Sequence, residues 1–132
     1  MAIVEQSRTV RELMTRWVHV VNADTPLPTV ARVLSENGVT AVPVLKSGVP
    51  IGMVGRTGVL AAMAREEPEA ATAADALEPL PPQVQLNTGV YEAAALLRAT
   101  HGRHLLVLDE RGRLAGILSK GDVMRALVVQ ET

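Results

Sequence analysis

The chain has 132 residues, of which 48% are hydrophobic and 20% are charged, and its formal net charge at neutral pH is −1. This length and composition predict a globular protein of one domain, or of two closely joined halves, with enough apolar surface to form a core. The near-neutral charge and the scarcity of aromatic residues, which are only Trp17 and Tyr91, argue against nucleic-acid binding, which needs a positive face or rings on which bases stack.

The sequence contains no cysteine, so it has no disulfide framework, as is typical of proteins from a reducing compartment. Charged residues occur too early for the apolar region of a signal peptide, and no apolar run reaches the roughly 18 residues that a membrane span needs. We therefore expect a soluble, cytoplasmic protein that has no membrane partner.

In chain order, the first half predicts a short helical lead, a strand, a helix, a strand hairpin and a last helix. Thr25 is expected to cap the first full helix, with Pro26 at its first position, and Gly38 is expected to end it in a left-handed conformation. The pattern assigns the lead to VRELMTR, the strands to VHVV, AVPVL and PIGMV, and the last helix to VLAAMARE.

The second half repeats this order, with Thr88 as the expected cap and Gly102 as the expected helix exit. Its lead is AADALEP, its strands are QVQL, HLLVLDE and LAGIL, and its last helix is DVMRALVV. The chain is therefore predicted to consist of two copies of one supersecondary unit. The acidic, Ala-rich stretch EEPEAATA joins them, so we place the domain boundaries at 1–68 and 69–132.

The two copies do not align at one constant shift. A shift of 63 residues aligns Thr25 with Thr88, whereas a shift of 64 aligns Gly52 with Gly116. We therefore expect a one-residue insertion in the second copy near the stretch ATHG. At the shift of 64, Val107 stands where the first copy has Pro43.

This order of elements resembles the tandem CBS-domain pair, or Bateman module, over about residues 9–128. The resemblance depends on LMT before the first strand, TAVPVL in the first copy and RHLLVLDERGRLAGILSKGDVM in the second. It implies an α/β (α+β) fold in which two strand-helix-strand-strand-helix repeats pack about a pseudo-twofold axis. It also implies a regulatory protein rather than an enzyme, a ligand cleft between the repeats, and a disc-shaped homodimer.

Ser119 and Asp122 form a Ser-x-x-Asp sequence at the start of the last helix, and two interpretations fit it. As a capping box, the pair would stabilise the helix without any ligand. As a binding site, the helix N-terminus would attract a phosphate while the carboxylate accepts hydrogen bonds from a ribose diol. The resemblance favours the second interpretation, because the matching Asp of nucleotide-binding CBS pairs holds the ribose.

The resemblance implies further ligand-binding residues. Arg103 matches a basic residue that contacts phosphate, and Arg can hold a phosphate with two hydrogen bonds. The resemblance also implies an adenine wall formed largely by Val39 and Thr40 and closed by Ile117, with Thr15 facing the ligand.

His104 and Lys120 are further candidates, next to Arg103 and to the helix start. Val39 and Ile117 also suit an ordinary apolar core, and His104 and Lys120 also suit a solvated surface.

The first copy has Gly55 and Gly58 where the second has Ser119 and Asp122, and at the shift of 64 it has Val39 in place of Arg103. Glycine offers neither a hydroxyl nor a carboxylate, and valine cannot meet a phosphate. We therefore predict one ligand for each chain.

The favoured function is a regulatory module that binds an adenine nucleotide in the cleft between the repeats and signals to an unidentified effector protein. AMP, ADP and ATP are the preferred ligands, ahead of S-adenosylmethionine and NAD, and no catalytic cofactor or metal is expected. The alternative is a ligand-free dimerisation or interaction module. An enzyme is not expected, because no nucleophile–base pair and no cluster of metal ligands is recognised in the sequence.

Overall fold

The structure, a computed structural model, describes residues 8–16, 18–65 and 71–131, and only the backbone of 129–131. It has a mixed α/β fold in which the order strand, helix, strand, strand, helix occurs twice, as predicted. The first copy contains β1 (Val21–Asn22), α1 (Leu27–Asn37), β2 (Ala41–Lys46), β3 (Val49–Gly55) and α2 (Arg56–Met63). The second contains β4 (Gln83–Gln85), α3 (Val90–Thr100), β5 (His104–Leu108), β6 (Leu114–Ser119) and α4 (Lys120–Glu131).

Each copy forms a three-stranded sheet, with the order β1-β2-β3 in the first and β4-β5-β6 in the second. The first two strands of each sheet are parallel and are joined through a helix, whereas the second and third form an antiparallel hairpin. This arrangement places the end of each third strand directly before the last helix of its copy.

Two short 3₁₀ helices, Val10–Glu12 and Ala73–Ala76, form the predicted leads, and each belongs to the compact unit of the other copy's sheet. One unit, here called the central unit, is His19–Leu80. The other, the terminal unit, combines the residues up to Val18 with those from Pro81 onwards. The predicted domains 1–68 and 69–132 follow the sequence repeat, and these compact units have different limits.

The exchange of leads is visible in the backbone hydrogen bonds of each unit. The Val10 amide donates to the Thr88 carbonyl at 2.9 Å in the terminal unit, and the Ala73 amide donates to the Thr25 carbonyl at 2.8 Å in the central unit. Both lead helices are short, so their stability comes from packing rather than from helix propensity.

Each unit has its own apolar core. In the central unit, Leu27 and Val30 of α1 pack with Val44 and Val54 of the sheet, and lead residue Ala73 completes the cluster. The terminal unit has the same arrangement, with Val10 of the lead packed among Val90, Leu105, Leu118 and Val123. Among the described residues no polar or charged side chain is buried, so the ligand-binding groups predicted here all reach the surface.

The expected capping role of Thr25 and Thr88 is wrong. In both units the threonine hydroxyl accepts the amide hydrogen of the residue three positions earlier, at 3.0 Å, and thus closes the turn between strand and helix. The helices begin later, with Pro26 and Gly89 at the N-cap, and neither residue supplies a side-chain cap.

Gly38 ends α1 in the left-handed conformation, with φ of 62°, as predicted. The matching prediction for Gly102 is wrong, because His101 adopts this conformation after α3, with φ of 55°. His101 follows Gly38 by 63 positions, so the two copies still align at the shift of 63 where these helices end. The extra residue therefore lies further along the second copy.

The extra residue of the second copy lies in the β5–β6 turn, not near ATHG as expected. Val44 of β2 pairs with Gly52, and Val107 of β5 pairs with Gly116, so the shift is 63 in one strand of the hairpin and 64 in the other. In this turn Oδ1 of Asp109 accepts two backbone amides, at 2.8 and 3.0 Å.

This alignment changes two of the equivalences drawn from the sequence. Thr40, not Val39, is the structural counterpart of Arg103, since both precede the second strand by one residue. In the same way Leu106, not Val107, is the counterpart of Pro43.

Candidate functional site

The start of α4 carries the predicted capping box in complete form. The Ser119 amide donates to Oδ2 of Asp122 at 2.9 Å, and the Asp122 amide donates to the Ser119 hydroxyl oxygen at 3.0 Å. Ser119 is the last residue of β6 and Lys120 is the first of α4, so the box joins the sheet to the helix. A reciprocal pair of this type satisfies two backbone amides that the helix would otherwise leave free.

The second carboxylate oxygen of Asp122, Oδ1, accepts a hydrogen bond from Nη2 of Arg125. These two side chains form an ion pair one helical turn apart, in which Arg125 is 73% exposed and Asp122 is 18% exposed. Arg125 is not among the residues predicted from the sequence, although its spacing of three residues from Asp122 on a helix is a signal for such a pair.

The basic residues predicted for phosphate lie beside the same helix start. The Lys120 amide donates to the Arg103 carbonyl at 2.8 Å, which fixes the backbone of Arg103 against α4. His104, the first residue of β5, lies opposite Ser119 in the ladder. All three basic side chains, those of Arg103, His104 and Lys120, are exposed and therefore accessible to an anion.

Thr15 and Ile117 are held together by the backbone. Each amide donates to the other residue's carbonyl, at 2.9 and 3.0 Å, so the lead adds a short bridge to β6. Gly116 permits this approach, because a Cβ atom there would lie 2.7 Å from both the Met14 sulfur and the Thr15 carbonyl oxygen. Ile117 and Ser119 are two positions apart on one strand and share a face of the sheet.

The terminal unit therefore brings together seven of the nine predicted site residues, which are Thr15, Arg103, His104, Ile117, Ser119, Lys120 and Asp122. Val39 and Thr40 belong to the central unit. There Val39 is half-buried and packs against the core, while Thr40 is exposed and its carbonyl accepts the Arg56 amide at 3.1 Å.

The corresponding place in the central unit contains a carboxylate that the sequence analysis missed. Glu78 and Met53 donate to each other's carbonyls at 2.8 and 2.9 Å, as Thr15 and Ile117 do in the terminal unit. A Cβ atom on Gly55 would lie 3.1 Å from Oε2 of Glu78. Gly55, the counterpart of Ser119, has no side chain, and the acidic side chain of Glu78 lies beside it at the N-terminus of α2.

A second capping box occurs in the central unit, at the start of the Ala73–Ala76 helix. The Thr72 amide donates to Oδ2 of Asp75 at 2.8 Å, and the Thr72 side chain caps the helix in return. The same local arrangement therefore stabilises a helix at a position where no ligand is predicted. The box at Ser119 and Asp122 is by itself no evidence for binding.

Within residues 8–16, 18–65 and 71–131, no three or more His, Cys, Asp or Glu residues are close enough to hold a metal ion together. Within those same limits no helix has the length and apolar character needed to cross a membrane.

A family model described as the CBS domain matches the chain twice, at residues 10–65 and 72–129. Because the two matches cover most of the sequence, the chain belongs to the CBS-domain family and carries two such domains in tandem. The family resemblance drawn from the sequence motifs is confirmed.

Among named relatives, the CBS domain-containing protein CBSX2, chloroplastic, from Arabidopsis thaliana is 44% identical over 52 residues. That match covers 39% of this chain and 22% of the relative, so it spans about a fifth of the relative's length. The crystal structure of CBSX2 in complex with AMP aligns with 94% of this chain and 98% of its own, with 32% identity and a TM-score of 0.76.

The CBS domain of the bacterial CNNM/CorC family Mg²⁺ transporter, solved in complex with ATP, is a further structural relative. It is 25% identical with a TM-score of 0.78, and the alignment covers 96% of this chain and 92% of that chain. Two relatives with nucleotide complexes therefore share both the fold and a recognisable part of the sequence.

Proposed function

We propose that this protein is a regulatory module that binds one adenine nucleotide through the cluster around the start of α4. The observation that carries the proposal is the grouping of Arg103, Ser119 and Asp122 at one helix N-terminus, which brings an exposed basic residue close to a carboxylate. The AMP and ATP complexes of the two relatives support the choice of ligand.

The chemistry of each group suits a nucleotide. The α4 N-terminus and the Arg103 guanidinium are positive and attract phosphate. The Asp122 carboxylate has further lone pairs, because each oxygen can accept more than one hydrogen bond. Thr15, Ile117, His104 and Lys120 of the same unit then surround the ligand. The role of Val39 and Thr40 in an adenine wall stays a prediction from the family resemblance.

Calorimetric titration with adenosine, AMP, ADP, ATP, S-adenosylmethionine and NAD tests this function, with GMP as the control for the base. We expect saturable binding of at least one adenine nucleotide and much weaker binding of GMP. If none of the adenine ligands produces a binding heat or raises the melting temperature, the site is only a helix cap and the proposal is wrong.

The second candidate is a ligand-free interaction module. It is favoured by the completeness of the capping box, which needs no ligand, and by apolar side chains exposed on the last helix of each copy. Leu60 on α2 is 70% exposed, and Met124 and Val128 on α4 are 58% and 57% exposed. This candidate predicts a homodimer whose stability does not change when nucleotide is added.

Three parts of the proposal concern partners and setting. We propose a homodimer, an effector protein that responds to nucleotide occupancy, and a regulatory rather than catalytic role. A cytoplasmic location is a prediction from the sequence alone. The relative CBSX2 is a chloroplastic protein.

A further inference from the structure

Both carboxylate oxygens of Asp122 accept hydrogen bonds from within the chain. Oδ2 accepts the Ser119 amide at 2.9 Å within the capping box. Oδ1 accepts Nη2 of Arg125. The first bond belongs to the helix start and stabilises it, whereas the second comes from a long, exposed side chain.

The guanidinium of Arg125 is bonded to the carboxylate oxygen that the capping box does not use. Arg125 is 73% exposed while Asp122 keeps only 18% of its side chain in solvent. A Cβ atom on Gly121 would lie 3.4 Å from Nη1 of Arg125, so the side chain folds back over the first turn of α4. Together the pair lines an open groove of about 260 Å³ in the terminal unit, with Arg8, Glu12, Leu13 and Ala126.

We infer that Arg125 competes with the ribose of the ligand for the Asp122 carboxylate and thereby sets the affinity of the site. This inference rests on the proposed function. A ribose diol donates two hydrogen bonds and needs the outward lone pairs of a carboxylate. Oδ2 faces the helix start because it accepts the Ser119 amide. The lone pairs left for a diol therefore lie near the Arg125 guanidinium, which must move away when the diol binds.

The expected effect is small, because an exposed ion pair contributes little free energy in water. Removing the competitor should therefore tighten the binding of a neutral nucleoside by about 1.5- to 5-fold. Adenosine is the suitable probe, since it carries the ribose and base but no phosphate, and its affinity does not depend on the general positive charge of the site.

The experiment measures the Kd of adenosine for the parent and for Arg125→Gln, with Arg113→Gln as the matched control. Arg113 is an exposed arginine of the β5–β6 turn, so this control removes the same charge away from Asp122. We expect tighter binding in Arg125→Gln only. Raising the salt concentration from about 50 to 500 mM should tighten binding to the parent, because salt screens the exposed ion pair, and should leave Arg125→Gln unchanged.

A third variant separates competition from a general effect on the helix. In an Asp122→Asn background, Arg125→Gln should no longer change the adenosine Kd, since the carboxylate for which the two compete is gone. If the parent binds adenosine and Arg125→Gln binds it equally or more weakly, the inference is overturned while the proposed function stands. If the parent binds none of the adenine ligands, both are overturned.

Discussion

Asp122 has two tasks that use the same carboxylate, and Asp75 provides a matched control because it forms the same capping box without a predicted ligand. We expect Asp122→Asn and Asp75→Asn each to lower the free energy of unfolding by no more than about 1 kcal/mol, since Asn retains a capping oxygen. Only Asp122→Asn should weaken AMP binding, by roughly tenfold or more, because charge-assisted hydrogen bonds contribute about 1.5–3 kcal/mol.

Denaturant unfolding and calorimetric titration of both variants check this prediction. An Asp122→Asn protein that binds AMP, ADP and ATP as tightly as the parent would show that the carboxylate is a helix cap alone. Equal losses of binding in both variants would point to a change of fold rather than to a lost contact.

Arg103 distinguishes the phosphate from the rest of the ligand. Its side chain is exposed and its backbone is held against α4 by the Lys120 amide, so truncation should leave the fold intact. We expect Arg103→Ala to weaken AMP, ADP and ATP by about tenfold while changing adenosine binding less than twofold, because only the charged ligands lose a charge-assisted contact. Similar losses for adenosine and AMP in parallel titrations would contradict this role.

The docking of the lead on β6 depends on one glycine. A Cβ atom at Gly116 would lie 2.7 Å from the Thr15 carbonyl oxygen, and backbone cannot move aside as a flexible side chain can. We expect Gly116→Ala to lower the free energy of unfolding by about 1–3 kcal/mol, as overpacking does, and to accelerate hydrogen exchange at the Thr15 and Ile117 amides.

Gly121→Ala serves as its control, since the nearest atom to the added Cβ there is the far end of the Arg125 side chain at 3.4 Å. This variant should be no less stable than the parent, because Ala is favoured over Gly inside a helix. Unchanged exchange at Thr15 in Gly116→Ala would mean that the lead is not held through this contact.

Over the whole molecule, the two copies differ in the charge that they place at the start of the last helix. The terminal unit offers the Arg103 guanidinium there, whereas the central unit has Glu78 beside Gly55 and Thr40 as the counterpart of Arg103. The central unit therefore lacks a guanidinium at the position of Arg103 and has a glycine in place of the carboxylate that would bind ribose, so we predict one nucleotide for each chain. Calorimetric stoichiometry checks this number, and two equivalent sites for each chain would contradict it.

Exposed apolar side chains on α2 and α4 lead to a prediction about assembly. Leu60 and Met124 are 70% and 58% exposed, and large apolar groups at a surface often mark an interface. We expect a homodimer in light scattering at micromolar concentration, and a monomer with unchanged circular dichroism for the Leu60→Glu, Met124→Glu double variant. A parent protein that is monomeric under these conditions would rule out this assembly.

The sequence alone determined the repeat, the order of its elements and the capping box at Ser119 and Asp122. Helix and strand periodicities are local, so the pattern placed each strand and helix within a few residues of its observed bounds. The box was predictable for the same reason, since its two residues are three positions apart and need no distant contact.

Several features depend on contacts between distant parts of the chain, and only the tertiary structure decided them. Local pattern assigned each lead to the copy that follows it, yet Val10 is buried with the second copy and Ala73 with the first. The insertion could be located only from strand pairing, because Val107 and Gly116 must lie opposite each other. Glu78 lies beside Gly55 although 23 positions separate them (78 − 55), and no periodicity within either segment encodes such a contact.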